Sequence, residues 1–204
     1  MNNFNRIAGY YDFLARIVFG RSIRTCQVGF LSLIPDSSDI LILGGGTGWI
    51  VEELKIRTKN CSIWYIELSD RMISLAKSND ESQHVNFLHG SEKDIPNEKT
   101  FDVVITNFFL DLFPEHKLRT TIQAIEKSLE KKAIWLVSDF VDGRWWHCAL
   151  LWIMYRFFKL TTGIEASTLP RWERSIEACG FKEEKHQFFY GMFIKSSVYR
   201  KAHF

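Results

Sequence analysis

With 204 residues, 46% of them hydrophobic and 15% aromatic, the chain has the size of one ordinary domain and can bury a full core without disulfide or metal staples. A formal net charge of +2 leaves no basic footprint and counts against nucleic acid as a partner. Cys26, Cys61, Cys148 and Cys179 form no C-x-x-C pair, so neither a zinc site nor a disulfide framework is indicated and a reducing, cytoplasmic setting is expected.

The start, Met1 to Arg6, has no apolar signal-peptide core. The aromatic stretch from Phe4 to Leu14 precedes the first strand. A short aromatic helix outside a sheet needs a surface to cover, and the family resemblance given below implies that residues 1–35 form a helical lid. The alternative is that Tyr10 and Tyr11 simply pack on the domain surface. A helical run is expected from Arg21 to Ile34, with Ile23, Val28, Phe30, Leu31 and Ile34 as an uneven apolar face. Pro35-Asp36-Ser37-Ser38 is then a turn.

Ile40-Leu41-Ile42-Leu43 reads as a buried strand, Gly44-Gly45-Gly46-Thr47-Gly48 as a tight turn, and Trp49-Ile50 as the start of a helix. Glycines permit backbone angles closed to other residues and let a ligand approach the backbone. The helix start favours anionic or polar ligand groups. The spacing is G-x-G-x-G, whereas the dinucleotide fingerprint G-x-G-x-x-G would end on Trp49, a large indole where close packing needs a small residue. A Walker phosphate loop is absent. Cys61 to Glu67 reads as a second strand whose final acid lies about 20 residues beyond the glycines, the distance at which the next strand of a βαβ unit presents a carboxylate to a ribose. Ser69 is placed to cap the helix that follows.

His84 to Gly90 is a weak strand and Gly90 to Pro96 a loop; Phe101 to Asn107 is the clearest remaining strand. Asn107, at its ligand edge, is either a polar group near the ligand or a residue capping a strand end. Pro114 opens a helix expected to run to about Lys131, with Leu118, Ile122, Ile125 and Leu129 on one stripe. Ala133 to Phe140 is the fifth strand, and Asp139 at its end is a polar substrate contact or a loop N-cap.

Trp145 to Leu160 is apolar nearly all round, yet too short and too charged near its end to span a bilayer. Three readings compete: a buried helix, a substrate lid, or an interfacial segment that meets a membrane or a second subunit. His147 is the only residue in it that titrates near neutrality. Thr168 is expected to cap a helix with Pro170 in its first turn, ending at Gly180. Phe181 to Phe189 and Met192 to Arg200 then form a hairpin around Tyr190-Gly191.

From about Phe4 to about Arg200 these features resemble the class I S-adenosylmethionine-dependent methyltransferases. The resemblance implies a single α/β domain: a Rossmann-like, doubly wound, seven-stranded, mostly parallel sheet with a C-terminal antiparallel hairpin. It implies S-adenosylmethionine as cofactor. The loop Gly44, Gly45, Gly46, Thr47 and Gly48 would line its methionine part, Glu67 would bind the ribose hydroxyls, and Leu68, Ser91 and Glu92 would meet adenine. Thr106, Asn107 and Phe108 would face the methyl group. The N-terminus is similar to the ubiquinone and menaquinone C-methyltransferases, and Val18 to Arg21 to bacterial phospholipid N-methyltransferases; there the segment closes as a lid and Tyr11 faces the site. Segment 141–169 corresponds to the insertion that binds substrate. Two residues before Gly44 the family usually carries an acid, and this chain has Ile42. The Asn/Asp-Pro-Pro-aromatic motif is absent, which speaks against methylation of nucleic-acid bases. The expected activity is methyl transfer to a small acceptor of lipophilic or aromatic character. Tyr11, Asp139 and His147 are candidate proton acceptors, and none is obligatory. Two alternatives stand beside it: a non-catalytic relative that binds cofactor or a partner, favoured by Ile42, and a nicotinamide-dependent oxidoreductase, disfavoured by the glycine spacing.

Overall fold

The computed structural model describes residues 11–80 and 84–202, with side chains from Ala15 onward. The sheet is built outward from β1 (Asp39–Leu43), whose run of branched residues is buried on both faces, as a central parallel strand requires. Along it, Ile40 and Ile42 point to one core layer and Leu41 and Leu43 to the other, the period of two that a strand imposes. β1 pairs in parallel with β2 (Ser62–Glu67) and β4 (Phe101–Asn107). β3 (Val85–His89) extends the sheet beyond β2, and β5 (Leu129–Phe140) beyond β4. β7 (Ile194–Lys201) enters antiparallel between β5 and β6 (Phe181–Phe189), giving the order β3-β2-β1-β4-β5-β7-β6. The expected seven-stranded, mostly parallel sheet with a terminal hairpin is what the chain forms.

One face of the sheet is covered by α3 (Trp49–Arg57) and α4 (Asp70–Ser78) through Ile50, Val51, Leu54 and Ala76. Ser69 caps α4 as expected, its hydroxyl accepting the Met72 N–H at 3.2 Å. The other face is covered by α5 (Glu115–Lys127) through Leu118, Ile122 and Ile125, and by α7 (Trp172–Ala178) through Trp172 and Ile176. A third, aromatic cluster closes the end of the sheet, where α1 (Tyr11–Phe19), α2 (Ser22–Val28) and α6 (Trp145–Thr161) meet the β6–β7 turn.

Three boundaries and the burial of one helix differ from the sequence reading. The run from Arg21 to Ile34 is not one helix: α2 ends at Val28, Gly29 follows, and Leu31–Leu33 is a separate 3₁₀ turn. The helix after Pro114 stops at Lys127, because the Ser128 hydroxyl turns back on the Ile125 carbonyl at 2.7 Å and its own carbonyl accepts the Phe101 N–H. Leu129, which fits the helical stripe by spacing, begins β5 opposite Phe101 instead. Thr168 does not cap α7, which starts after Arg171, where the backbone is held by the Glu115 carboxylate at 2.9 Å. Finally, α6 is not a buried helix: only His147, Leu151 and Tyr155 face the interior fully.

Candidate cofactor and acceptor site

At the C-terminal ends of β1, β2 and β4, where open α/β sheets bind ligands, lies a cavity of about 1190 Å³. Gly44, Gly45, Gly46, Thr47, Glu67, Leu68, Ser91, Glu92 and Asn107 all line it. Tyr11, the remaining lid candidate, has a side chain outside the described residues. Its helix neighbours Ala15 and Arg16, with Arg21, Arg24 and Gln27 of the next segment, form one wall.

The glycine loop is clamped by β2. The Glu67 carboxylate accepts the Gly46 N–H at 3.0 Å and, through its other oxygen, the Ser69 N–H at 2.8 Å. The Tyr65 hydroxyl donates to the Gly46 carbonyl at 2.8 Å. Burial pushes the Glu67 carboxyl up from the ordinary range, and the N–H groups of Ser69 and Gly46 pull against that. Glu67 therefore organises the loop as well as facing the cavity, a role its position in sequence does not reveal.

The glycines divide by what a side chain would meet. A Cβ at Gly45 would lie 2.2 Å from the Tyr65 ring, and one at Gly48 2.6 Å from Ala76 Cβ. Gly48 thus serves the approach of α3 to α4 and, unlike the other residues of the loop, does not line the cavity. The same contact accounts for Trp49: the small residue for close packing is Gly48, and the indole turns to α2, with Arg24 over its ring at 5.1 Å. At Gly46, whose φ is +67°, a Cβ would meet nothing within 4 Å among the described residues. The open direction at Gly46 faces the cavity that this residue lines.

Beyond the glycines the cavity runs between Phe108, Phe109, Leu112, Phe113 and Lys117. Phe108 has φ +50°, a left-handed backbone that costs a non-glycine residue roughly 1 kcal/mol or more. Its N–H is held by the Ser138 carbonyl at 2.7 Å and its ring by Phe140 at 4.9 Å. Such strain at a strand end facing a cavity is typical of ligand sites. Ser91 caps a 3₁₀ turn, accepting the Lys93 N–H at 3.3 Å, while Asp94 accepts the Ser91 N–H at 2.8 Å.

Three residues expected near the chemistry lie elsewhere. Thr106 is turned to the opposite face, where its hydroxyl accepts the Trp135 indole N–H at 2.9 Å. Asp139 is fully buried and does not line the cavity. It accepts the N–H groups of Leu110, Asp111 and Phe140, so it caps the turn after β4, the second of the two readings its sequence position allowed. His147 is buried at the β6–β7 turn, with Nε2 at 3.3 Å from the Gly191 carbonyl, away from the cavity. Sequence reasoning missed Phe109, Phe113, Lys117 and the wall arginines, whose convergence depends on loop paths that no local pattern encodes.

Asp139 and Asp111 form a buried carboxyl pair. Burial pushes Asp111 up to about 7. Asp139 is raised well above its ordinary value by burial and then by Asp111, against the pull of its N–H donors. A carboxyl that keeps its proton to higher pH in the fold than in the unfolded chain stabilises acid conditions. That contribution is complete below about pH 4 and lost as the pH rises through about 7. Asp111→Asn removes the charge that must otherwise be buried. Its melting temperature relative to the parent is expected to rise between pH 5 and pH 8, by the equivalent of roughly 1–3 kcal/mol. Thermal melts at the two pH values check this; a pH-independent difference would contradict it.

The comparisons with known proteins agree with this architecture. Residues 40–132 match the model of a methyltransferase domain. Over 140 residues the chain is 27% identical to the malonyl-[acyl-carrier protein] O-methyltransferase of Priestia megaterium, a match covering 69% of this chain and 50% of that protein. The chain thus spans about half the length of that relative. Among solved structures it superposes with a TM-score of 0.76 and 12% identity on a chain of the complex between the Haloferax volcanii Trm112 methyltransferase activator and a methyltransferase, covering 100% of this chain and 99% of that one. On N-methyltransferase NodS from Bradyrhizobium japonicum WM9, in complex with S-adenosylhomocysteine, the TM-score is 0.66 at 17% identity, with 88% and 86% covered. Residues 40–132 are thus similar to a methyltransferase domain, and the sheet order accords with that similarity. S-adenosylmethionine is the cofactor that goes with such a domain, and the open direction at Gly46 beside the Glu67 carboxylate fits such a ligand.

Proposed function

We propose that this protein transfers the methyl group of S-adenosylmethionine to a small acceptor with an apolar or aromatic body. The observation that carries this reading is one continuous cavity that joins the glycine loop to the phenylalanine-lined extension at Phe108, Phe109 and Phe113. Gly44 to Thr47 would hold the amino-acid end of the cofactor, Glu67 the ribose hydroxyls, and Leu68, Ser91 and Glu92 the adenine. The bound cofactor supplies a methyl carbon already activated by its positive sulfur. The protein's part is then to align the acceptor with that carbon and exclude water. Asn107 is placed to orient a polar group at the strand edge. The helical wall from Ala15 to Gln27 would act as the lid. No residue is needed as an obligatory base.

The acceptor's polar end is suggested by the same wall. Arg16, Arg21 and Arg24 line the cavity, and among the described residues no carboxylate pairs with them. An acceptor that carries an anionic group would find a complement there, in keeping with the malonyl-[acyl-carrier protein] in the name of the Priestia megaterium relative. The test is calorimetric titration with S-adenosylhomocysteine and, separately, with NADH. Micromolar binding of the first alone is expected. Binding of NADH alone would overturn the reading of the loop. Binding of neither would favour a non-catalytic relative, with Ile42 as the departure to examine.

A further inference from the structure

Helix α6 presents two apolar faces. His147, Leu151 and Tyr155 are buried against the body of the protein. On the opposite side Trp145 is 84% exposed, Trp152 62% and Leu160 82%, with Ile153 and Phe157 also exposed. A surface helix ordinarily carries polar residues there, and a cluster of exposed large apolar side chains marks an interaction surface.

The charges on this helix indicate what it meets. From residue 143 to residue 164 the sequence contains no Asp or Glu, while Arg144, Arg156 and Lys159 supply positive charge. Among the described residues none of these three has a carboxylate partner. Arg156 lies over the Trp152 ring at 5.0 Å, Lys159 reaches the Ser167 hydroxyl at 3.4 Å, and Arg144 reaches the Met192 sulfur at 3.5 Å. With 17 residues the helix is about 25 Å long, and no helix among the described residues is long and apolar enough to cross a membrane. Exposed indoles beside long cations, on a helix of this length without acids, are the composition of a segment that lies in a bilayer interface.

We propose that α6 is an in-plane anchor for an anionic lipid surface. Trp145, Trp152, Ile153 and Leu160 enter the headgroup boundary, and Arg144, Arg156 and Lys159 meet lipid phosphates. A second copy of this chain is a poorer occupant. A two-fold pairing of α6 would bring these cations together with no acid on the helix to offset them. The anchor is tied mechanically to the cavity wall. The Tyr190 hydroxyl donates to the Val18 carbonyl of α1 at 2.8 Å, and the Tyr190 ring meets Phe19 at 5.2 Å and Trp146 of α6 at 6.2 Å. The proposal concerns this surface alone and does not depend on the methyl-transfer reading.

Co-sedimentation of the full chain with vesicles of phosphatidylcholine, with and without about one third phosphatidylglycerol, tests it. Binding to the anionic vesicles is expected, at least about tenfold weaker to the neutral ones and reduced by salt. Trp152→Glu and the double variant Arg156→Gln/Lys159→Gln are each expected to weaken binding by roughly tenfold or more. These side chains are exposed, so melting temperature and S-adenosylhomocysteine affinity should stay at the parent values and confirm folded protein. Absence of binding to anionic vesicles at millimolar lipid would overturn the proposal. So would a solution dimer that Trp152→Glu dissociates without any vesicle affinity in the parent, which would assign the face to a second copy.

Discussion

Gly46→Val is expected to weaken S-adenosylhomocysteine binding by about a hundredfold or more while the domain remains folded. The expectation rests on the direction in which the new side chain would grow. Among the described residues a Cβ at Gly46 meets no atom within 4 Å, although Gly46 forms part of the cavity wall. The isopropyl group would therefore occupy ligand space without displacing a neighbour. Holding a β-branched residue at φ +67° adds strain of about 1–2 kcal/mol, a tolerable fraction of a domain's stability. Gly180→Val separates the two effects. Gly180 also has positive φ, +86°, and open space around its Cβ, but it follows α7, far from the glycine loop in the fold. It should lower the melting temperature to a similar degree and leave affinity untouched. Calorimetry on both variants decides. Normal affinity in folded Gly46→Val would remove the cofactor from this loop. Substitutions at Gly45 or Gly48 could not make the same argument, because they would strike Tyr65 or Ala76 and damage the fold itself.

That contrast also shows what the sequence could and could not reveal. The continuous apolar run from Ile40 to Leu43 and the acid at Glu67 are local patterns, and they placed β1 and β2. Local spacing was ambiguous at Leu129, which satisfies both a helical stripe and a strand start, and long-range pairing with Phe101 chose the strand. Strand ends were misjudged in the same way. Thr106 and Asn107 are neighbours, yet only Asn107 faces the cavity, since adjacent residues on a strand point to opposite faces. His147 was conspicuous as a titratable group in an apolar run, but its position is fixed by the β6–β7 turn, a segment more than forty residues away in sequence. The phenylalanines that extend the cavity come from the turn after β4, whose path is set by a buried acid on another strand.

That acid is Asp139, and Asp139→Ala is expected to cost about 3–5 kcal/mol of stability. Its carboxyl accepts the N–H groups of Leu110 at 3.1 Å, Asp111 at 3.2 Å and Phe140 at 2.8 Å, all in the buried interior. Alanine leaves these donors without an acceptor, at roughly 1–3 kcal/mol each when nothing replaces it. Relief of the repulsion between Asp139 and Asp111 offsets part of the loss, so the net falls below the simple sum. Asp139→Asn keeps one carbonyl oxygen and should lose less. Because the offset depends on ionisation of the pair, the cost of Asp139→Ala should be greater at pH 5 than at pH 8. Denaturant titrations at both pH values measure it, and a loss under about 1 kcal/mol would mean that water takes over the three donors. The lesion should also reach the site. Leu110 and Asp111 lie between Phe109 and Leu112, both of which line the cavity, so loosening this turn should weaken binding of an apolar acceptor more than binding of S-adenosylhomocysteine at the glycine loop.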